Sequence, residues 1–230
     1  EPLRLALVGA TGLVGRRIIE ECVGRNDVRL VAIARREVKL PIGARMELFV
    51  ARPEEWKEVL HTIKPTVLIS ALGSTWKKAG KNRESFRAID RDLVLDTAVA
   101  AKKEGVERFV AVSSVNANPM AKSFYLRVKG ETEIDLFKVG FQRVDILQPG
   151  LLRGARRNDF RPGETLGQLV SPIIDPFLTG KMRDFRSIDA RIVAHAALGL
   201  AGRKAAGRFR HTHAQLLRSA REWVKAGERL

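Results

Sequence analysis

Leu5-Ala6-Leu7-Val8-Gly9-Ala10-Thr11-Gly12-Leu13-Val14-Gly15 stands at the head of a 230-residue chain, and its order of residue types restricts what can follow. The apolar run from Leu3 to Val8 reads as a buried strand. Gly9, Gly12 and Gly15 come next at three-residue spacing, and a helical pattern starts at Leu13. Between a strand and a helix, such glycines allow a tight turn, let a pyrophosphate approach the backbone, and bring helix against strand. Thr11, Leu13 and Val14 complete the cradle, and the positive end of the helix faces the phosphates. The expected ligand is a dinucleotide.

Outward from this start, strand-like runs alternate with helical ones. The first helix is expected over residues 13–23, with strands at Val28–Ala34 and Glu47–Val50. A second helix opens near Pro53, with Lys64-Pro65 beyond its end, and Val67–Ser70 is the next strand. A long helix is predicted over 83–103, a strand over 108–113, a helix around Tyr125 reaching residue 139, and a strand over 144–148. Ala190–Ala201 reads as a helix and 208–212 as a last strand. This alternation predicts an α/β fold: a Rossmann-type doubly wound parallel sheet with helices on both faces. We read residues 1–230 as a single NAD(P)-binding domain, with 150–187 as a small C-terminal substrate-side loop region. Ligands of such sheets bind outside the carboxyl ends of the strands.

Composition narrows the function. The chain carries 42 Lys and Arg against 26 Asp and Glu, a net charge of +16. The basic residues are dispersed and aromatic residues make up only 6%, so a nucleic-acid role is not favoured. The charge is read as solubility plus attraction for anionic ligands. No stretch nears the roughly 18 apolar residues of a membrane span. The lone cysteine, Cys22, cannot form an internal disulfide and reads as a buried structural thiol. With no secretory signal at the start of the sequence, the expected compartment is the cytoplasm. Monomer and homodimer are both compatible with the sequence.

Two further stretches select the chemistry. Ala34-Arg35-Arg36 ends the second strand with no carboxylate until Glu37, where an NAD enzyme places an acid for the ribose hydroxyl. Arg35 and Arg36 suit a 2′-phosphate, so NADP(H) is expected in preference to NAD(H). Ala71-Leu72-Gly73 follows the fourth strand and is expected on the adenine-ribose side. Ser113-Ser114 closes the fifth strand, and Tyr125, the only tyrosine, precedes Lys129 by one helical turn. Lys129 would hold the nicotinamide ribose, and its charge would favour the tyrosinate. Tyr125 would then act as acid/base toward a small carbonyl or alcohol, with Ser114 hydrogen-bonding the substrate oxygen.

These residues resemble an atypical member of the short-chain dehydrogenase/reductase superfamily, within the group that includes the HIV Tat-interacting oxidoreductase-like protein and its bacterial relatives. The similar stretches are Leu72-Gly73-Ser74-Thr75 with Lys78-Ala79-Gly80, Ile89-Asp90-Arg91-Asp92, Ser113-Ser114, Phe124 to Glu131, Pro149 to Leu152, and Arg161-Pro162-Gly163-Glu164. The resemblance implies NADP(H) binding, a Ser114/Tyr125/Lys129 arrangement, and cofactor contacts at Ser113, Pro149, Leu151 and Leu152. It supplies no clear counterpart to the Asn that is a fourth catalytic residue in many relatives; Asp90 lies in that helix region without being assigned the role. The acidic residue often found after the third strand is replaced around Val50-Ala51.

Arg153, Arg157 and Arg161 crowd the loop after the sixth strand and are candidate contacts for an anionic substrate. His211 and His213 alternate on the expected last strand, with no nearby Cys or acid to complete a metal site, so no metal is expected. Two alternatives to the reductase stay open: an NADP(H)-binding redox-sensing regulator that docks a partner protein, and an epimerase or dehydratase with tightly held nucleotide.

Overall fold

The apolar runs pair side by side because most are buried on both faces, the condition under which parallel sheets form. The computed structural model describes residues 1–74, 79–154 and 184–228. Its main strands are β1 (Leu3–Val8), β2 (Val28–Ala34), β3 (Glu47–Val50), β4 (Val67–Ser70), β5 (Arg108–Val112) and β6 (Arg143–Leu147). Two short strands, β7 (Leu152–Arg153) and β8 (Ile188–Asp189), pair with each other, and β9 (Gly207–His211) closes the main sheet. That sheet has seven strands in the order β3-β2-β1-β4-β5-β6-β9, with every pair parallel. The doubly wound expectation is met, and the order reverses between β1 and β4, where such sheets bind ligands.

Alternation along each strand divides the core. Leu5 and Leu7 of β1 face one layer; Ala6 and Val8 face the other. The first layer holds α1 (Leu13–Glu21), α6 (Ala190–Ala201) and α7 (His213–Gly227). The second holds α2 (Trp56–Ile63), α4 (Leu93–Lys103) and α5 (Phe124–Lys138), with Phe109 and Phe141 stacked at 5.1 Å between ring centres. Trp56 is buried here and donates its indole N–H to Ala51 O at 3.1 Å.

Several expectations need correction. The first helix stops at Glu21 rather than residue 23. The predicted helix over 83–103 is three pieces: α3 (Arg83–Arg87), a π-helical turn at Ala88–Asp92, and α4. Helix α7 was not foreseen, although Thr212 and Gln215 form a capping box at its start and Leu216, Ala220 and Trp223 are buried at helical spacing. It packs on α6 where Gly199 leaves room beside Ser219. His211 and His213 consequently do not share a strand face, since His213 opens α7.

His211 also has the acid partner that sequence distance concealed. Its Nε2 lies 2.8 Å from Asp145 Oδ1 on the neighbouring strand. Arg143 meets the same carboxylate in a fork, at 2.6 and 2.8 Å, and its guanidinium lies 4.2 Å from the Phe209 ring centre. This buried knot ties β9 to β6.

Candidate active site

The cradle is built as the glycine spacing requires. Gly12 N donates to Gly9 O at 3.0 Å, and Gly9 has φ +86°, a conformation that favours glycine. A Cβ on Gly9 would collide with the Ala71 carbonyl, and one on Gly15 with Gly9 O. Helix α1 begins with Gly12 as its cap, without a side-chain capping bond and without an acidic residue in its first turn. The amides at Leu13, Val14 and Gly15 carry the partial positive charge of the helix start, and these residues fit a pyrophosphate. Arg35 and Arg36 are exposed just beyond β2, beside β1, where Ile33 pairs with Val8.

The loop after β4 connects the cradle to α5. Ala71 N donates to Val8 O at 2.9 Å, so the loop leaves the sheet alongside Gly9. Two residues on, a Cβ at Gly73 would lie 3.4 Å from Asp90 Oδ1 and 3.5 Å from Lys129 Nζ. The ammonium thus sits directly under the expected cofactor loop. Lys129 is buried and forms an ion pair with Asp90 at 2.8 Å. Burial opposes its charge, but Asp90 above all, then Tyr125 and Glu133, more than offset this and hold the ammonium above the ordinary lysine value.

Asp90 reaches this position through the π-helical turn, an extra residue per turn of the kind often found at functional sites. Its other oxygen accepts from Ser74 N at 2.7 Å, and its backbone carbonyl accepts from the Thr132 hydroxyl at 3.1 Å. Tyr125 is half-buried, one turn before Lys129, with its ring 5.3 Å from Phe86.

One turn beyond Lys129, Glu133 gathers the ends of three strands. Ser113 of the β5 end donates to it at 2.5 Å, Gln148 after β6 at 2.9 Å, and Arg210 of β9 at 2.7 Å. Ser113 is thereby committed inward. The Ser114 hydroxyl donates to Val115 O over a long 3.3 Å, and the residue is half-buried. Val115 N donates to Pro149 O at 3.0 Å, joining the serine loop to the segment after β6. Leu151 is exposed; Leu152 and Arg153 form β7, and a Cβ on Gly154 would lie 3.1 Å from Leu13 of α1. Arg157 and Arg161 lie outside the described residues.

Asp90 and Glu133 are the site residues that sequence reading did not assign. Glu133 carried a readable signal, since Tyr125, Lys129 and Glu133 recur every four residues on one helix face. Asp90 carried no spacing signal, because a π turn has no signature in the sequence; it stood out only by lying in the helix region of the relatives' fourth catalytic residue.

Residues 9–138 match the family model described as NAD(P)H-binding. "Protein fmp52, mitochondrial" of Aspergillus fumigatus is 33% identical over 208 residues, covering 87% of this chain and 87% of that protein. "Protein FMP52, mitochondrial" of Saccharomyces cerevisiae is 35% identical over 160 residues, covering 68% of this chain and 69% of its own length. Among solved structures, Bordetella bronchiseptica WbmG in complex with NAD and UDP aligns at TM-score 0.67 and 17% identity, over 98% of this chain and 79% of that one. Thermus thermophilus UDP-glucose 4-epimerase in complex with NAD aligns at TM-score 0.68 and 18% identity, over 96% and 83%. At such identities these two bear on the fold.

The relatives' mitochondrial names overturn the cytoplasmic expectation. A lone cysteine is compatible with any reducing compartment and does not single out one of them. Among the described residues no helix is long and apolar enough to cross a membrane. The NAD(P)H-binding match across more than half the chain, the relatives above 30% identity and the parallel sheet agree: the chain belongs to the NAD(P)H-binding family, as an atypical short-chain dehydrogenase/reductase.

Proposed function

We propose that this protein is an NADP(H)-dependent oxidoreductase that reduces a small carbonyl compound or oxidises the corresponding alcohol. One observation carries the reading: the Lys129 ammonium lies beneath Gly73, in the loop that leaves the sheet beside the Gly9 cradle, with Tyr125 one turn away. The nicotinamide, when bound, supplies or accepts the hydride. Lys129 presents its remaining N–H groups to the ribose, Tyr125 gives a proton to the carbonyl oxygen or takes one from the alcohol, and Ser114 steadies that oxygen. Gly9, Thr11, Gly12, Leu13, Val14 and Gly15 hold the pyrophosphate; Ala71, Leu72, Gly73, Pro149, Leu151 and Leu152 line the nucleotide's path. Arg35 and Arg36, exposed and next to the cradle, favour the 2′-phosphate. Arg153 offers a charge to an anionic substrate.

Calorimetric titration tests the cofactor preference: NADPH should bind at least about tenfold more tightly than NADH, as one charge-assisted contact is worth about 1.5–3 kcal/mol. Equal affinities would remove the phosphate reading. Tyr125→Phe should keep NADPH affinity and lose turnover across an aldehyde and ketone panel, whereas undiminished turnover would refute its role. Tight NADPH binding with no turnover by the wild-type protein would instead favour the nucleotide-sensing regulator.

A further inference from the structure

At the carboxyl ends of β5, β6 and β9 lies a cavity of about 390 Å³, the size of a small-molecule site. The glycine cradle takes up the β1 and β4 half of that rim, and the cavity lies on the other half. Val115, Ala117, Pro119 and Phe185 give it an apolar wall, and Gln148, Asp184 and Arg210 give it polar groups. One buried carboxylate orients two of these. Glu133, its side chain 2% exposed, accepts from Gln148 Nε2 at 2.9 and 3.1 Å and from Arg210 Nε at 2.7 Å. An amide that turns its NH₂ group to a carboxylate turns its carbonyl away, so Gln148 presents Oε1 as an acceptor without a partner among the described residues. The Arg210 guanidinium lies 4.7 Å from the Phe137 ring centre, and its two terminal amino groups make no hydrogen bond to the described residues. Arg208, the other cation on that face of β9, is bonded to Phe137 O at 2.8 Å. Arg210 is thus a held fork with its outer edge unused.

Building on the proposed oxidoreductase function, we infer that this cavity receives a carboxylate of the substrate and that Arg210 selects it. The substrate class is a short-chain oxo acid, reduced to the corresponding hydroxy acid. Two terminal amino groups of a guanidinium match the two oxygens of a carboxylate. Glu133 and Phe137 fix the fork in advance, so little side-chain freedom is lost when the acid binds. Ser114, set at the reacting oxygen in the proposed function, is followed directly by Val115 of the apolar wall. The carbon chain of the acid therefore runs along that wall between the reacting carbonyl and the arginine. Asp184, a second carboxylate in the lining, disfavours a ligand with two negative charges and leaves the monocarboxylates as the favoured set.

Reduction of pyruvate, levulinate and longer straight-chain oxo acids by NADPH, each measured beside its methyl ester, tests this. The ester keeps the carbonyl and loses the charge. For the best acid, kcat/KM should exceed that of its ester by about tenfold or more, the least that a charge-assisted bond contributes. In Arg210→Gln, which keeps a donor for Glu133, that preference should disappear through a rise in KM for the acid. General damage to the fold or to the Tyr125 site would lower acid and ester alike and leave their ratio in place. Should Arg210→Gln not fold, Arg210→Lys keeps a cation beside Glu133, and its ratio should still fall by about tenfold because the planar fork is lost. Equal use of acid and ester by the wild-type protein, or a ratio unmoved in the folded variant, would overturn the inference and leave the oxidoreductase standing. Turnover of simple aldehydes and ketones with no oxo acid accepted would do the same. No turnover of any carbonyl compound would remove the proposed function itself, and this inference with it.

Discussion

Replacing Asp145 with Ala would test whether the buried knot between β6 and β9 holds the sheet edge together. Asp145 accepts both arms of Arg143 and faces the His211 ring, and its side chain is 1% exposed, that of Arg143 4%. After the substitution, Arg143 keeps its bond to Ala205 O and its stacking on Phe209, but its charge has no counter-ion. Removing one partner of a buried pair costs about 3–5 kcal/mol, against a whole-domain stability of about 5–15 kcal/mol. For a chain of this size, 1 kcal/mol shifts Tm by about 2–4 °C, so the loss should be roughly 6–20 °C. Urea unfolding followed by circular dichroism measures the free energy, with Arg143→Met/Asp145→Leu as the companion. That double variant should lie closer to wild type than Asp145→Ala, because no charge is stranded. A loss under about 1 kcal/mol for the single variant, or a double variant as damaged as the single, would refute the reasoning.

Gly9→Ala should weaken NADPH binding and destabilise the fold by at least about 1–2 kcal/mol, since φ +86° is strained for alanine and the new Cβ meets the Ala71 carbonyl. Calorimetry and urea melts check both effects. Burial pushes the Cys22 thiol up from 9.0 to about 12, so it should resist alkylation until the protein unfolds. The same thiol stays protonated in the folded state while the unfolded chain ionises. Its contribution is therefore complete below pH 9 and is lost as pH rises toward about 12, at up to about 1.4 kcal/mol per unit. Cys22→Ala should flatten that alkaline decline in urea melts recorded across this range.

The readable parts of the molecule were those governed by local rules. β1, the glycine turn and α1 announce themselves because a buried strand, a backbone needing φ above zero and a helix start each restrict residue types within a few positions. β5, α5 and β6 were found to within a residue, and Tyr125 with Lys129 followed from the helical period. The start of helix α7 is legible in the capping box at Thr212 and Gln215, but the alternation of His211 and His213 mimics a strand across it.

By itself, the sequence determined the alternation of elements, the glycine turn after β1, and which helix face carries the phenol and the ammonium, since each depends on neighbours within about two turns. Tertiary structure alone decided what surrounds that face. Asp90 lies 39 positions from Lys129, and a π turn whose register no residue pattern encodes turns it inward. Glu133 is satisfied by Ser113, Gln148 and Arg210 from three separate strand ends. A buried charge must find its partners wherever the packed chain places them, because unpaired it could not stay ionised away from water.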